Sequence, residues 1–568
     1  MIKENYNLWL KKAVLDEDLI NELKSIENDF DAISDRFYKS LEFGTGGLRG
    51  EIGAGTNRMN VYTVAKATQG LAEYVLSVSK TPTVAIAYDS RIKSDVFAKC
   101  AAEVLAANGI KVFIYKELMP TPMLSFAVRE LKCDAGIVIT ASHNPAKYNG
   151  YKAYGPDGCQ LNLEASNYVL SIMNKVDIFD GVKRTDFMAA LNNGLITYIE
   201  DEVINAYLNE VQKMSVTKDL DFSDFKVIYT PLHGSGNKPV RAILKKIGLQ
   251  NVMVVKEQEL PDGNFPTAPY PNPEIKQPFE IALNNAKTYN PDILLATDPD
   301  CDRVGIAVKH GEDYRFMTGN EVGALLLNYI LEGRTKNGTL PKNPVAVKTI
   351  VTTDICEKIA SDYGCRLVNV LTGFKFIGEQ IALLEKDGEQ DRYVLGFEES
   401  YGYLAGSYVR DKDAVVASML ICEMAAYYKK QGFDLLEVLE NLYKKHGYYF
   451  ASQKSYTFEG ESGMNKISAI MDNFRAEPPK IFAGKIIIRI DDYKTSESRD
   501  LISGTTEKID LPKSNVICFI LEGGSSFIAR PSGTEPKIKF YLSAVNSTEE
   551  QTNQTLTELL DSCDAFVN

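Results

Sequence analysis

The stretch Ala135-Gly136-Ile137-Val138-Ile139-Thr140-Ala141-Ser142-His143-Asn144-Pro145 decides how the chain folds. Five uncharged residues give way to a polar loop, and Asn-Pro then forces a turn. A short apolar run bounded in this way reads as a buried strand entering a loop. The same phrase recurs at 83–87 before Tyr88-Asp89-Ser90-Arg91, and at 226–229 before Pro231-Leu232-His233-Gly234. It returns at 293–296 before Asp298 and at 393–395 before Gly396. Helical patterns at 96–108 and 322–332 lie between such runs. Alternating strand and helix predicts an α/β fold with largely parallel sheets, whose ligands gather beyond the carboxyl ends of the strands. Towards the end the pattern changes. Strands at 485–490, 515–521, 526–529 and 538–542 follow one another with tight connections, and a helix over 548–563 closes the chain. This predicts a separate, smaller α+β unit that begins near residue 446.

At 568 residues the chain exceeds one hydrophobic core, and its length suggests roughly three to five domains. The net charge of −13 argues against nucleic acid as a partner, since its phosphates need a basic face. Any phosphate must be met by a few local cations in an acidic body. No run nears the roughly 18 apolar residues of a membrane span, and no basic-then-apolar leader is visible, so no membrane association is expected. Nine scattered cysteines without a CxxC pair suit reduced thiols and a cytoplasmic location. Four histidines make a multi-histidine metal centre improbable.

Four loops carry the chemistry. Ser142, at a strand end, offers a hydroxyl that could accept a phosphoryl group, because such a nucleophile depends on positioning; a plain polar junction is the alternative. In Asp298-Pro299-Asp300-Cys301-Asp302-Arg303, carboxylates at alternate positions of an extended loop can face one side and share a hard cation such as Mg²⁺. An EF-hand is excluded, because Arg303 and Lys309 stand where that loop needs glycine and glutamate. A solvated acidic turn is the alternative. Arg530-Pro531-Ser532-Gly533-Thr534-Glu535-Pro536-Lys537 gathers a guanidinium, two hydroxyls, an ammonium and a glycine amide for an anion; a hairpin turn would use the same residues. In Gly396-Phe397-Glu398-Glu399-Ser400, Glu398 and Ser400 share strand parity and could bind neighbouring sugar hydroxyls; a solvated acidic loop is the alternative. Weaker signals are Gly44-Thr45-Gly46-Gly47-Leu48-Arg49-Gly50, read as a flexible loop that could carry Arg49 towards an anion, with a plain turn as the alternative, and Thr372-Gly373-Phe374-Lys375.

Taken in order from Gly44 to Lys537, these loops resemble the α-D-phosphohexomutase superfamily. The Gly44–Gly50 and Gly396–Ser400 segments are most similar to its branch of bacterial α-phosphoglucomutases, phosphopentomutases and glucose-1,6-bisphosphate synthases. The resemblance implies four domains around a central cleft, three related α/β mixed-sheet domains and a smaller α+β one, over 1–205, 206–322, 323–445 and 446–568. It implies that Ser142 is phosphorylated, and that Asp298, Asp300 and Asp302 hold Mg²⁺ with an oxygen on Ser142. Lys152 would be the general acid/base, with Arg49 alongside and His143 beside the phosphoserine. Arg303 would support the metal loop. Lys375, Glu398, Ser400, Arg530, Ser532, Gly533, Thr534 and Lys537 would bind a hexose phosphate, with glucose 1,6-bisphosphate as activator and intermediate. Many members have a histidine two residues after the sugar-loop serine, where this chain has Gly402, which shifts weight onto Lys152. The expected activity is interconversion of glucose 1-phosphate and glucose 6-phosphate, with mannose or pentose phosphates as alternatives. From another class, Asp298-Pro299-Asp300 resembles the nucleophile loop of haloacid-dehalogenase phosphatases, although that leaves Ser142 and Arg530 unexplained. A non-catalytic sugar-phosphate sensor would need no metal loop.

Overall fold

The computed structural model describes residues 2–44, 46–458, 460–532 and 536–567. Its contacts divide the chain into two compact units. The first comprises Met1–Met317, Ile377–Tyr393 and Tyr401–Tyr427; the second comprises Thr318–Phe376, Val394–Ser400 and Tyr428–Asn568.

In the first unit, a six-stranded sheet runs Gly47–Glu51, Tyr148–Tyr154, Ala135–Ile139, Thr83–Tyr88, Lys111–Tyr115, Ile196–Ile199. A five-stranded sheet runs Asp313–Met317, Val304–His310, Ile293–Thr297, Val227–Thr230, Val252–Val254. The expected parallel strands form the centre of each, as at Thr83–Tyr88 beside Ala135–Ile139 and Val227–Thr230 beside Ile293–Thr297. The sheets are nevertheless mixed rather than largely parallel. Tyr148–Tyr154 and Val304–His310 return antiparallel beside the strands that carry Ser142 and Asp298. Each return follows a loop too short to hold a crossover helix. The Gly44–Gly50 segment also departs from expectation. From Gly47 it is an edge strand paired antiparallel with Tyr148–Tyr154, placing Arg49 opposite Gly150. Glycine is required there because a Cβ on Gly47 would overlap the Tyr151 carbonyl.

Helices cover these sheets, and their starts are readable in polar caps. Asn60 accepts the amides of Tyr62 and Thr63 while Thr63 returns a bond, closing a capping box on Val61–Val78. Three N-terminal helices, Ile2–Lys12, Glu17–Ser25 and Phe30–Phe37, join the same core through Trp9, whose ring lies 5.5 Å from Tyr62 and 5.9 Å from Phe37.

In the second unit, Arg366–Val370, Val345–Thr349 and Tyr393–Glu398 lie side by side, the first two parallel. An antiparallel sheet follows. It opens with Tyr448–Thr457 against Lys537–Asn546 and includes Ser526–Pro531, Ile517–Leu521 and Lys485–Asp492. The opening strand and the helix Gly460–Ala476 extend the unit beyond the strands read from sequence. Its core is aromatic, with Phe519 stacked on Phe527 at 5.6 Å and Phe540 edge-on at 5.0 Å. Val351 and Leu371 share a cluster with Tyr493, Ile528 and Tyr541, so the two parts of this unit have one apolar seam.

Candidate active site

Ser142 stands three residues beyond the buried strand Ala135–Ile139, with its backbone in the left-handed region at φ 52°. Such a conformation persists in a non-glycine residue only when neighbours over-determine it. Here they do. The Ser142 amide donates to Thr140 Oγ1 at 2.8 Å, and that hydroxyl donates to Asp89 Oδ2 at 2.6 Å. The Arg91 guanidinium donates to the carbonyls of Ser142, Asn144, Pro145 and Tyr148. It is paired with Asp89 and lies 5.1 Å from the Phe265 ring. The hydroxyl is buried rather than open to solvent: Ser142 is 4% exposed and donates to Asp298 Oδ2 at 2.7 Å. His143 Nδ1 lies 3.2 Å from Ser142 Oγ. Burial, with the Arg303 and Arg49 charges added, holds His143 well below the usual imidazole range.

Asp298, Asp300 and Asp302 follow the strand Ile293–Thr297, and each offers a buried oxygen within 4.8 Å of the others. Cys301, at φ 51°, bends the loop so that the three carboxylates converge. Asp298 Oδ1 accepts the amides of Asp302 and Arg303 at 3.1 and 2.9 Å. Asp300 Oδ2 accepts Thr121 Oγ1 at 2.9 Å and Lys152 Nζ at 3.0 Å. Asp300 Oδ1 and Asp302 Oδ1 are buried without a hydrogen-bond partner. Burial and the neighbouring carboxylates push Asp298 well above the carboxylic range. Burial acts the same way on Asp300, but the Lys152 and Lys412 charges outweigh it and hold that carboxyl low. An all-oxygen set that converges within 4.8 Å and leaves buried carboxylate oxygens without a hydrogen bond fits a hard divalent cation. The Arg303 guanidinium pairs with Glu274 and lies 3.9 Å from Asp302 Oδ1.

Lys152, on the strand Tyr148–Tyr154, reaches Asp300 at 3.0 Å and Asp302 at 3.5 Å. Burial alone would lower its pKa, but these carboxylates outweigh it and the net shift is upward. Arg49, across the strand pair, acts on His143 and Arg91 through its charge.

The remaining expected contacts belong to the second unit. Lys375 begins the helix Phe374–Lys386, its ammonium 5.1 Å from the Phe376 ring. Glu398 is buried, and its Oε1 accepts the Gly373 amide at 2.9 Å. The strand ends at Glu398, so Ser400 lies in the following turn and does not share its strand parity. Arg530 donates to the Tyr541 hydroxyl at 3.4 Å, and the Ser532 amide donates to the Lys537 carbonyl at 2.7 Å. Burial raises the Tyr541 pKa, with the Glu399 charge next, so the acidic and basic loops share one neighbourhood. Gly533 and Thr534 lie outside the described residues.

Sequence reading missed Asp89, Arg91, Thr121 and Lys412. The first two stand in a loop already noted after a strand, at the height of Ser142, which was the available signal. Lys412 sits in Arg410-Asp411-Lys412-Asp413, a run that resembles a solvated surface yet is buried. Its ammonium lies 3.0 Å from Asp302 Oδ2.

Comparison with known proteins gives three family matches. Residues 40–178, 205–311 and 318–446 match α/β/α domains I, II and III of phosphoglucomutase/phosphomannomutase. A phosphoglucomutase of Staphylococcus saprophyticus is 40% identical over 550 residues, covering 96% of this chain and 98% of that one. One from Staphylococcus aureus strain MRSA252 is 38% identical, covering 94% and 95%. The solved open form of parafusin from Paramecium, a phosphoglucomutase, has the same fold at 19% identity, with a TM-score of 0.69 over 93% of this chain and 95% of that one.

Proposed function

The chain belongs to the phosphoglucomutase/phosphomannomutase family, and from that we propose that it interconverts glucose 1-phosphate and glucose 6-phosphate through a phosphoserine at Ser142. The observation that carries this reading is the 2.7 Å bond from the Ser142 hydroxyl to a buried trio of aspartates that also receives Lys152.

Phosphoserine 142 gives its phosphoryl group to the free hydroxyl of the hexose monophosphate. The Ser142 Oγ–P bond breaks as the sugar O–P bond forms, yielding glucose 1,6-bisphosphate. Lys152, kept protonated by its carboxylate neighbours, gives a proton to the departing Ser142 Oγ and takes up the one that leaves the sugar hydroxyl. The bisphosphate then presents its other phosphate, and the steps run in reverse. Protein groups do little covalent work in such a transfer, so positioning and charge neutralisation carry the rate. Arg91 and Thr140 fix the nucleophile's loop. Mg²⁺ held by Asp298, Asp300 and Asp302, together with an oxygen on Ser142, would supply positive charge to the transferred group. Arg530, Ser532, Gly533, Thr534 and Lys537 hold the phosphate that is not moving, while Lys375, Glu398 and Ser400 hold the sugar. The working segments are 1–205, 206–322, 323–445 and 446–568, each bringing one loop. Nine unpaired cysteines support a cytoplasmic enzyme.

Peptide mass spectrometry of fresh enzyme should find one phosphate on Ser142. Ser142→Ala should bind sugar phosphate yet lose nearly all turnover. Wild-type interconversion by that variant would overturn the reading, and phosphate trapped on Asp298 would point to a phosphatase.

A further inference from the structure

Four consecutive charged residues, Arg410 to Asp413, are buried in the first unit, and each is tied to a different place. Arg410 pairs with Glu385, and Asp413 accepts the hydroxyls of Tyr207 and Tyr408. Asp411 Oδ2 accepts the Tyr154 hydroxyl at 2.7 Å. Its Oδ1 accepts the Lys412 amide at 2.9 Å and lies 3.6 Å from Lys412 Nζ. Tyr154 stands two residues beyond Lys152 on one strand, so both side chains leave the same sheet face. From that face, Lys152 reaches Asp300 directly, and Tyr154 reaches Asp302 through Asp411 and Lys412. Gly402 adds a second constraint. Its φ is not positive, so its backbone conformation does not demand glycine. A Cβ there would instead overlap Lys412 Cδ and crowd Cβ and Cγ. The missing side chain is the notch through which the lysine stem passes.

We propose that Tyr154, Asp411 and Gly402 are positioning residues that together fix the Lys412 ammonium against Asp302, as a second cation opposite Lys152 in the transfer site. This rests on the mutase reading. A lysine stem has many rotamers to lose, and a charge assists transfer only if it is already in place when charge develops. The Tyr154–Asp411 bond and the Gly402 notch supply that placement. If these residues merely satisfied buried charge, their loss would lower stability and leave the chemistry alone.

The test uses the full-length enzyme with Mg²⁺ and glucose 1,6-bisphosphate, following glucose 1-phosphate conversion. Tyr154→Phe and Gly402→Ala should each lower kcat about tenfold, with KM changed less than about twofold. Asp411→Asn keeps an acceptor for Tyr154 and serves as a milder variant should Tyr154→Phe fold poorly; it too should lower kcat. Gly402→Ala should cost nothing further in a Lys412→Ala background, since the glycine acts through that lysine. Additive losses in the double variant, or unchanged kcat in the single variants beside an active wild type, would overturn the proposal alone. No interconversion by the wild type would overturn the mutase reading and this proposal with it.

Discussion

At the scale of single residues, the three aspartates show how burial is turned to use. Buried like charges repel unless something positive joins them, and in this protein Lys152 and Lys412 take only part of the charge. Asp300 Oδ1 and Asp302 Oδ1 still lack hydrogen-bond partners. Mg²⁺ should therefore raise the unfolding temperature of the wild type, by about 2.7 kcal/mol of stability at a hundredfold excess over its Kd. Asp300→Asn should abolish that shift and cut turnover by about 10²-fold or more. Calorimetry with and without chelator reads the first effect independently of the second, and an undiminished Mg²⁺ shift in the variant would remove Asp300 from the metal site. Spacing made this cluster legible, because three carboxylates at alternate positions crowd one loop, but the loop is a turn rather than extended, and the left-handed Cys301 brings them together. Lys412 was not legible: its neighbours in sequence are charged, and only tertiary packing buries them. Arg91 was equally hidden, since its work is done on carbonyls more than fifty residues away.

At the scale of elements, the site is built from strand ends whose next loop turns left-handed. Ser142, Cys301 and Tyr401 have φ of 52°, 51° and 65°, each three or four residues past the strands Ala135–Ile139, Ile293–Thr297 and Tyr393–Glu398. The strands were visible as apolar runs. The turns were not, because serine, cysteine and tyrosine give no signal for a conformation that glycine or asparagine would announce. Elements are also tied by ions. Glu385, in the last turn of Phe374–Lys386, accepts Arg129 from the helix Thr121–Glu130 and also Arg410. Burial alone would raise this carboxyl, but the two guanidiniums outweigh it and hold it below its usual value. A depressed folded pKa stabilises above the unfolded value and loses that contribution as pH falls through the folded one. Glu385→Gln should therefore lower the thermal midpoint at neutral pH, and the gap to wild type should shrink below about pH 4. A gap constant across that range would mean that packing, not charge, joins these elements.

At the scale of the whole molecule, the residues proposed for chemistry and those proposed for recognition fall in different compact units. Ser142, Lys152 and the aspartates belong to the first; Lys375, Glu398, Ser400, Arg530 and Ser532 belong to the second. The order of loops along the chain could be read in advance, but this grouping could not. Residues 377–393 and 401–427 return to the first unit around a seven-residue excursion, Val394–Ser400, into the second. That division separates kinetic effects. Substitutions in the first unit's site should lower kcat, because their charges matter most as the phosphoryl group moves. Substitutions in the second unit's loops should weaken binding of substrate and transition state alike, which appears as a higher KM at constant kcat. Arg530 is the sharpest case. It extends from the strand Ser526–Pro531, held by the Tyr541 hydroxyl at 3.4 Å, and its guanidinium suits a phosphate that stays in place. Losing such a charge-assisted contact costs about 1.5–3 kcal/mol, so Arg530→Ala should raise KM for glucose 1-phosphate about 10- to 150-fold. Phosphorylation of Ser142 by glucose 1,6-bisphosphate at saturating concentration should remain intact. A normal KM would place the fixed phosphate elsewhere, whereas a fall in kcat alone would assign Arg530 to the chemical step and erase the division between the units.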